Sequence, residues 1–446
     1  MRILQIVHSF PTHTLAGTEI YTYNLANKLA ETHEVSIFHR VCDPGQKEYN
    51  VIFSKNNGLN IYTINNTFRN CNSFAMTYNN DSIASEFSRV LDRVNPEVVH
   101  IQHLIFLSTK LVAEIKKRKI PIVFTVHDYW LICPQWFFLK DGLSACSGDN
   151  LKECVNCLRD QLSIKKGPKR IYLSLLKIMP PFLVKLFKSA YLYSTKMNFQ
   201  FSDQGVKQIK ARNGQIKEMC QSIDRFILPS TFLKSKFDRC GLLGNRAMLL
   251  RHGLDNNFLN GLTRKQSSKL CFAFIGTILP AKGVDILIKA FNKIQRNNIE
   301  LRIYGKLYPY RGFEYYPAYI KNLARPDNIR LMGEFQNKDI GGLLSEIDVV
   351  VLPAVWGETF SLVIQEAFLA RTPVVASNIG AIPEMVKDGQ NGLLSVPGDI
   401  KDLQEKLQYL IDNPGIISKL KQNIPEVKSI EENAWEIEQV YRELVR

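Results

Sequence analysis

The stretch IDVVVLPAVWGETFSLVIQEAFLARTPVVAS (residues 347–377) decides how this chain folds. IDVVVLPA (347–354) is a short apolar run of the kind that forms a strand buried on both faces of a parallel sheet. WGETF follows as a loop, and SLVIQEAFLA (361–370) has the pattern of a helix with Ser361 at its start. The backbone N–H groups of Phe360, Ser361 and Leu362 then point out of that helix start, where unpaired donors and the helix dipole attract an anion. Two carboxylates flank the place: Glu358 in the loop above it, and Glu366 about a turn and a half inside the helix. Acids beside an anion site are electrostatically unfavourable unless they bind neutral hydroxyls. A diphosphate on the N–H groups, with sugar hydroxyls on either side, meets both conditions, and a nucleotide sugar presents that combination. Taken without their surroundings, the same residues also read as a capping acid and an ordinary helix acid.

Working outward, strands and helices alternate along nearly the whole chain, which argues a parallel α/β architecture. RILQIV (2–7), EVSIFH (34–39), EVVHI (97–101), PIVFTV (121–126) and RFILPS (225–230) read as strands of a first half. LCFAFIG (270–276), IELRIYG (299–305), IRLMG (329–333), IDVVVLP (347–353) and PVVAS (373–377) read as strands of a second. A chain of 446 residues is too long for one core. The expected division is residues 1–255, a polar linker at 256–268, residues 269–428, and a terminal helix at 429–446 with Trp435, Val440, Tyr441 and Leu444 at helical spacing. In such sheets ligands bind beyond the carboxyl ends of the strands.

The apolar fraction of 45% is that of an ordinary globular protein, and the net charge is +15. Nucleic acid is the weakest explanation of that charge, because no zinc-finger, RNP-like or helix-turn-helix signature is present. Basic residues are dense in KKGPKR (165–170) and recur among leucines, phenylalanines and tyrosines through 171–196. That composition suits either an interfacial segment on an anionic membrane face or a solvated basic face over a buried stripe. MRILQIVHSF reads as a first strand rather than a secretory signal, and no apolar run is long enough to span a bilayer. The expectation is a cytoplasmic protein, peripheral on the membrane.

Around the deciding stretch the motifs are specific. Glu358 and Glu366 form E-x7-E, and Gly380-Ala381-Ile382-Pro383-Glu384 and Asn391-Gly392-Leu393-Leu394 follow. Upstream, Gly276-Thr277-Ile278-Leu279-Pro280-Ala281-Lys282-Gly283 places a lysine between a strand and a helix, where an ammonium reaches phosphate oxygens as a point charge. Near the start, Gly17 in LAGTEIYTYNLANKLAE permits close approach of a ligand to a helix start. His127 ends the strand PIVFTVHD, and His100 and His103 end another.

Together these residues resemble the retaining glycosyltransferases of family four, strongest over 270–400, good at 121–157 and thin through 158–225. The resemblance implies a GT-B fold: two Rossmann-like α/β domains around a cleft, the second binding a nucleotide-sugar donor and the first offering the acceptor. It also implies that the last helix crosses back to the first domain. It implies contact of His127 with the donor sugar, Glu358 positioning that sugar, Glu366 holding the ribose, and Lys282 on the diphosphate beside Gly17, Phe360, Ser361 and Leu362. Thr277 stands where the family pattern has arginine, and Ala16 where it has a glycine. The implied reaction is front-face substitution with no catalytic cofactor or metal, onto a lipid-linked or polysaccharide acceptor in surface-glycan assembly. An epimerase or phosphorylase of the same architecture, or an inactive nucleotide-sugar scaffold, are the alternatives.

Cys133, Cys146, Cys154 and Cys157 fall close together in the sequence. They suit a small structural zinc site or four free buried thiols, while stable disulfides are not expected.

Overall fold

The computed structural model describes residues 1–11, 17–140, 143–148, 150–162, 203–259, 263–264, 267–308 and 313–445. The basic insert at 164–198 lies outside the described residues, as does part of the 256–268 linker. Two sheets organise the chain. The first contains β1 (Arg2–Val7), β2 (Glu34–Val41), β3 (Val51–Asn56), β4 (Leu59–Asn65), β5 (Val98–Ile101), β6 (Ile122–Thr125), β7 (Arg225–Leu228) and β8 (Ala247–Leu249), in the order β3-β4-β2-β1-β5-β6-β7-β8. All neighbours pair parallel except β3, which runs antiparallel to β4 at one edge. The second contains β9 (Leu270–Ile275), β10 (Ile299–Tyr304), β11 (Ile329–Gly333), β12 (Val349–Leu352), β13 (Val374–Ser377) and β14 (Gly392–Ser395), in the all-parallel order β11-β10-β9-β12-β13-β14.

The apolar runs form strands because both faces of each sheet are covered. In β1, Leu4 and Ile6 enter one core with Phe38, Phe87 and Phe124, while Ile3 and Val7 enter the opposite core with Tyr21, Leu25 and Ile437. This is the period-two alternation of a strand, with apolar residues on both faces because helices cover both sides, and Gln5 as the one buried polar residue of the strand. The second sheet is built likewise, with Val349 and Val351 facing one core and Val350 and Leu352 the other.

The expected strands are present, with ends one or two residues shorter at several places. The sequence reading missed the β3–β4 hairpin. Its turn is Asn57-Gly58, with φ of 48° and 80°, the positive pair that a tight hairpin turn requires and that an Asn-Gly dipeptide signals. The terminal helix Ile430–Val445 packs on the helix Gly17–Ala30 and on β5, so the end of the chain lies against the first sheet. Tyr441 Oη is 2.6 Å from His100 Nδ1, and Tyr21 Oη donates to Asn433 at 2.9 Å. One expectation for this helix fails: Trp435 is 62% exposed, because the buried arc runs through Asn433, Ala434, Ile437, Val440 and Tyr441 and leaves residue 435 on the far side.

Strand order reverses between β1 and β5 in the first sheet and between β9 and β12 in the second. These are the switch points where the loops part and leave a crevice at the carboxyl ends. Both crevices open on the same cleft, which the next residues line.

Candidate functional site

The loop after β12 and the loop after β9 meet at the second switch point. Gly283 makes that meeting possible: its φ is 68°, and a Cβ there would stand 1.9 Å from the Pro353 carbonyl oxygen. Val355 N–H donates to the Ala281 carbonyl at 3.0 Å, tying the two loops together. Lys282 is thereby delivered to Glu358, with Nζ 2.5 Å from Oε1. The Trp356 indole N–H donates to the same oxygen at 2.8 Å, and Lys282 Nζ lies 5.0 Å from the centre of the Trp356 ring. Glu358 is 4% exposed, so a buried carboxylate is held by one ammonium and one indole N–H.

The G-x-P-E turn fixes the other side of the Glu358 loop. Gly380 has φ of 66°, and a Cβ there would lie 2.4 Å from the Glu358 carbonyl oxygen and 2.5 Å from its nitrogen. Ala381 N–H donates to that carbonyl at 2.7 Å. Only glycine fits where the backbone is both left-handed and this crowded. Glu384 at the end of the turn reaches across to the first domain. Its carboxylate accepts from the backbone N–H groups of Thr231 at 3.0 Å and Phe232 at 2.6 Å, at the start of the helix Thr231–Cys240. Three more bonds cross beside it. Thr359 Oγ1 donates to the His127 carbonyl at 2.6 Å, Ser230 Oγ donates to the Thr359 carbonyl at 2.7 Å, and Tyr129 Oη donates to the Gly357 carbonyl at 2.6 Å.

Ser361 is the N-cap of the helix Leu362–Leu369, its side chain accepting from Ile364 N–H. The first N–H groups of a helix have no partner within it, and here they open onto the cleft. The start of the helix Gly17–Ala30 comes to the same place: a Cβ on Gly17 would touch Leu362 Cδ1 at 3.5 Å. The starts of two helices, one from each domain, therefore come close together, the second of them directly following the loop that carries Glu358. Thr277 is half-buried in the loop after β9, next to Gly276 with φ of 140°.

Glu366 lies deeper, lining a 260 Å³ cavity with Tyr21, Asn24, Asp255, Lys338 and Leu362. Burial pushes its carboxyl up to about 7. His127 is at the carboxyl end of β6, with Nε2 2.8 Å from Gln102 Oε1. Burial, reinforced by the neighbouring His252, His103, His100 and His8, holds it well below the usual histidine range, so it is a neutral imidazole. His100 turns away from the cleft and bonds to Tyr441 and Thr125, a structural role. His103 stays at the cleft side, 3.1 Å from Asp128 and edge-on to His8. His8 in turn contacts Glu19 at 3.1 Å.

Sequence reasoning missed several of these residues. His252 stacks on Tyr21 with ring centres 3.9 Å apart and lies 5.1 Å from Phe360, with burial pushing it down to about 3. It comes from an irregular stretch after β8 and has no sequence signature. Trp356 and Glu384 stood inside the quoted motifs, where their residue types gave the only hint. The four clustered cysteines form no disulfide, and among the described residues no group of three or more His, Cys, Asp or Glu side chains is arranged to hold a metal. Burial pushes the Cys133 thiol up to about 12 and that of Cys154 to about 11, and Cys146 Sγ accepts from Gly148 N–H. Cys133 and Cys154 are thereby held as neutral thiols.

Comparison with known proteins gives a consistent result. The family described as Glycosyl transferases group 1 matches residues 261–427, and that described as Glycosyltransferase Family 4 matches residues 15–146. An uncharacterised glycosyltransferase of Methanocaldococcus jannaschii is 30% identical over 229 residues, 50% of this chain and 60% of the relative. An uncharacterised 42.6 kDa protein in the cps region of Klebsiella pneumoniae is 24% identical over 307 residues, 69% of this chain and 64% of the relative. The chain therefore spans less than two-thirds of the length of either relative. Among solved structures, Anabaena HepE in complex with UDP and glucose superposes with a TM-score of 0.63 at 15% identity, covering 99% of each chain. That likeness establishes the GT-B fold.

Proposed function

The chain belongs to the group 1 glycosyltransferases, and on that premise we propose that it transfers a sugar, with retention of configuration, from a nucleotide-sugar donor to a lipid-linked or polysaccharide acceptor in surface-glycan assembly. The observation that carries this reading is the Lys282–Glu358 contact at the β9/β12 switch point, with the starts of the helices Gly17–Ala30 and Leu362–Leu369 close together. The ammonium and the helix N–H groups suit a diphosphate, and the carboxylates suit the hydroxyls on either side of it.

In this reading residues 269–428 hold the donor, with the diphosphate against Lys282 and the N–H groups of Phe360, Ser361 and Leu362. Glu366 takes the ribose hydroxyls in its cavity. Glu358 positions the sugar, and the neutral His127 contacts a sugar hydroxyl. Residues 1–255 present the acceptor. As the sugar–phosphate bond breaks, negative charge grows on the leaving phosphate, and Lys282 with the helix start stabilises it electrostatically. The acceptor hydroxyl attacks from the same face, and the leaving phosphate takes its proton. This route needs neither a covalent enzyme intermediate nor a metal. The resemblance to a protein from the Klebsiella cps region supports a surface-glycan role, and the net charge of +15 supports an anionic partner such as a membrane face. Among the described residues no helix is long and apolar enough to cross a membrane.

The test is transfer of labelled sugar from a panel of nucleotide sugars into a lipid or polysaccharide fraction, with wild type and Glu358→Ala. Incorporation that the variant loses supports the reading. Equal incorporation by both removes Glu358 from the mechanism. Isomerisation of the donor sugar without any acceptor favours the epimerase alternative.

A further inference from the structure

A second cavity, of 340 Å³, opens in the first domain. Its walls are aromatic: Phe68, Phe74, Tyr78, Phe106, Trp130 and Trp136. At its base lies Arg212, 2% exposed, from the helix Asp203–Gln221. Arg212 Nη2 donates to the Trp130 carbonyl at 2.5 Å, and the guanidinium lies 5.3 Å from the Trp130 ring. Its Nη1 is buried without a hydrogen-bond partner among the described residues, and Asp128, the carboxylate that acts on its charge, is itself bonded to His103 and the Trp130 N–H. Burial pushes Arg212 down only to about 10, so the group stays charged. An unpaired buried cation is costly, and an anion in the cavity is what would offset that cost.

The lining also carries backbone strain. Phe68, Phe106 and Trp136 have φ of 61°, 64° and 52°, a region that bulky side chains rarely adopt. Three rings forced inward from left-handed backbone argue that their placement matters more than local ease. Behind two of them stands a second cation, with Arg40 5.3 Å from the Phe68 ring and 5.1 Å from the Phe106 ring.

The cavity adjoins the site already described. The Trp130 ring is 5.6 Å from His103, and the Phe106 ring is 6.5 Å from His8, both on the cleft side of the first domain. The loop that carries Trp136 continues to Phe137, whose ring packs 5.2 Å from Trp356, the partner of Glu358. A molecule seated in the cavity would reach from Arg212 toward the cleft.

We propose that this cavity binds the acceptor through one anionic group, a phosphate held on Arg212 Nη1, carried on an apolar chain that lies among the aromatic rings. The lining decides between a lipid and a charged sugar. Among the described lining residues the polar groups beyond Arg212 are those of Cys71, Thr77 and Gln161 and the rim atoms of Tyr78, Trp130 and Trp136, set in an otherwise aromatic and aliphatic wall that suits an apolar chain better than a ring of hydroxyls. The proposal rests on the glycosyltransferase reading and specifies its acceptor as a sugar hydroxyl carried on an isoprenoid-like lipid phosphate, of which the cavity holds the lipid phosphate.

The test is calorimetric titration of the full chain with farnesyl phosphate, farnesol, inorganic phosphate and glucuronic acid. Wild type is expected to bind farnesyl phosphate at least tenfold more tightly than any of the other three. Arg212→Met, similar in bulk and uncharged, is expected to lower that affinity to the level of farnesol. Phe68→Gly, which relieves the left-handed backbone while removing a ring, is expected to weaken farnesyl phosphate and farnesol together. Should Arg212→Met fail to fold, the Phe68→Gly comparison still decides. Equal binding of farnesol and farnesyl phosphate, or of inorganic phosphate and farnesyl phosphate, overturns the proposal, as does stronger binding of glucuronic acid. Nucleotide-induced stabilisation is measured on the same samples. If it persists while farnesyl phosphate does not bind, this inference fails and the donor reading stands. If it is absent, the donor reading is what fails.

Discussion

The two sides of the cleft were built by different rules. On the second domain the side chains proposed to hold the donor sit on short loops pinned by glycine: Gly283 against Pro353, and Gly380 against Glu358. On the first domain the aromatic cavity collects residues far apart in sequence, from stretches around 68–78, 105–106 and 130–136 and from the helix that carries Arg212. The first arrangement is compact in sequence and rigid in backbone, so residue spacing announces it. The second is assembled by tertiary packing, so no spacing does. A conserved chemical task such as holding a diphosphate suits the first kind of construction, and recognition of a particular acceptor suits the second.

The sharpest way to break this contrast is at the pinned side. Glu358→Ala removes the carboxylate that holds Lys282 and the Trp356 N–H. Its kcat/KM for transfer is expected to fall by about 10²–10³-fold, the scale of losing one electrostatic group at a reacting centre. An unchanged rate would mean that the loop geometry serves stability alone.

Glu366 gives a pH signature. Its carboxyl is near 4.5 in the unfolded chain and about 7 in the folded one. The folded state therefore keeps a proton that the unfolded state releases. Its contribution to stability is complete below pH 4.5, declines as pH rises, and is lost above about 7. The shift corresponds to roughly 3 kcal/mol at most. Glu366→Gln should flatten that part of the curve of melting temperature against pH; a slope identical to wild type would show that the carboxyl is not desolvated.

Glu384 couples the two sides. Glu384→Ala removes two charge-assisted bonds to the amides of Thr231 and Phe232. A loss of about 1–2 kcal/mol is expected from an unmade helix cap. Small-angle scattering should register a more open molecule, and an unaltered profile would leave the other cross-domain bonds as sufficient.

The smallest effect is a gain. Thr277→Arg places a second cation next to Lys282, and binding of a nucleoside diphosphate should tighten by about tenfold, one charge-assisted contact. Unaltered or weaker binding would place residue 277 out of reach of the phosphates.

What could be read from the sequence follows the same division. The parallel strands were legible because helices cover both faces and make runs such as 98–99 and 349–352 wholly apolar. Lys282, Glu358 and the Ser361 cap were legible because a strand, a loop and a helix start follow one another without interruption. Their mutual contact was not, since it depends on Gly283 pressing one loop against another. The β3–β4 hairpin was overlooked although Asn57-Gly58 signals it, because VIFSKN is an edge strand whose residues are largely exposed. The Trp435 expectation failed because spacing alone does not say which arc of an amphipathic helix is covered. For the cysteines, closeness in sequence carries into space, with Cys146 acting on both Cys133 and Cys154, but does not by itself choose between a metal site and free thiols.

The most direct test of the central claim, that Lys282 and the helix start at Ser361 hold a donor diphosphate, is a thermal-shift panel. UDP, GDP and ADP with their common sugar conjugates would be compared on wild type and Lys282→Ala. A ligand that binds only the folded form raises its melting temperature by mass action. The account predicts that one nucleotide family raises the melting temperature of wild type and does so much less in the variant. An equal rise in both proteins, or none with any nucleotide, would contradict it.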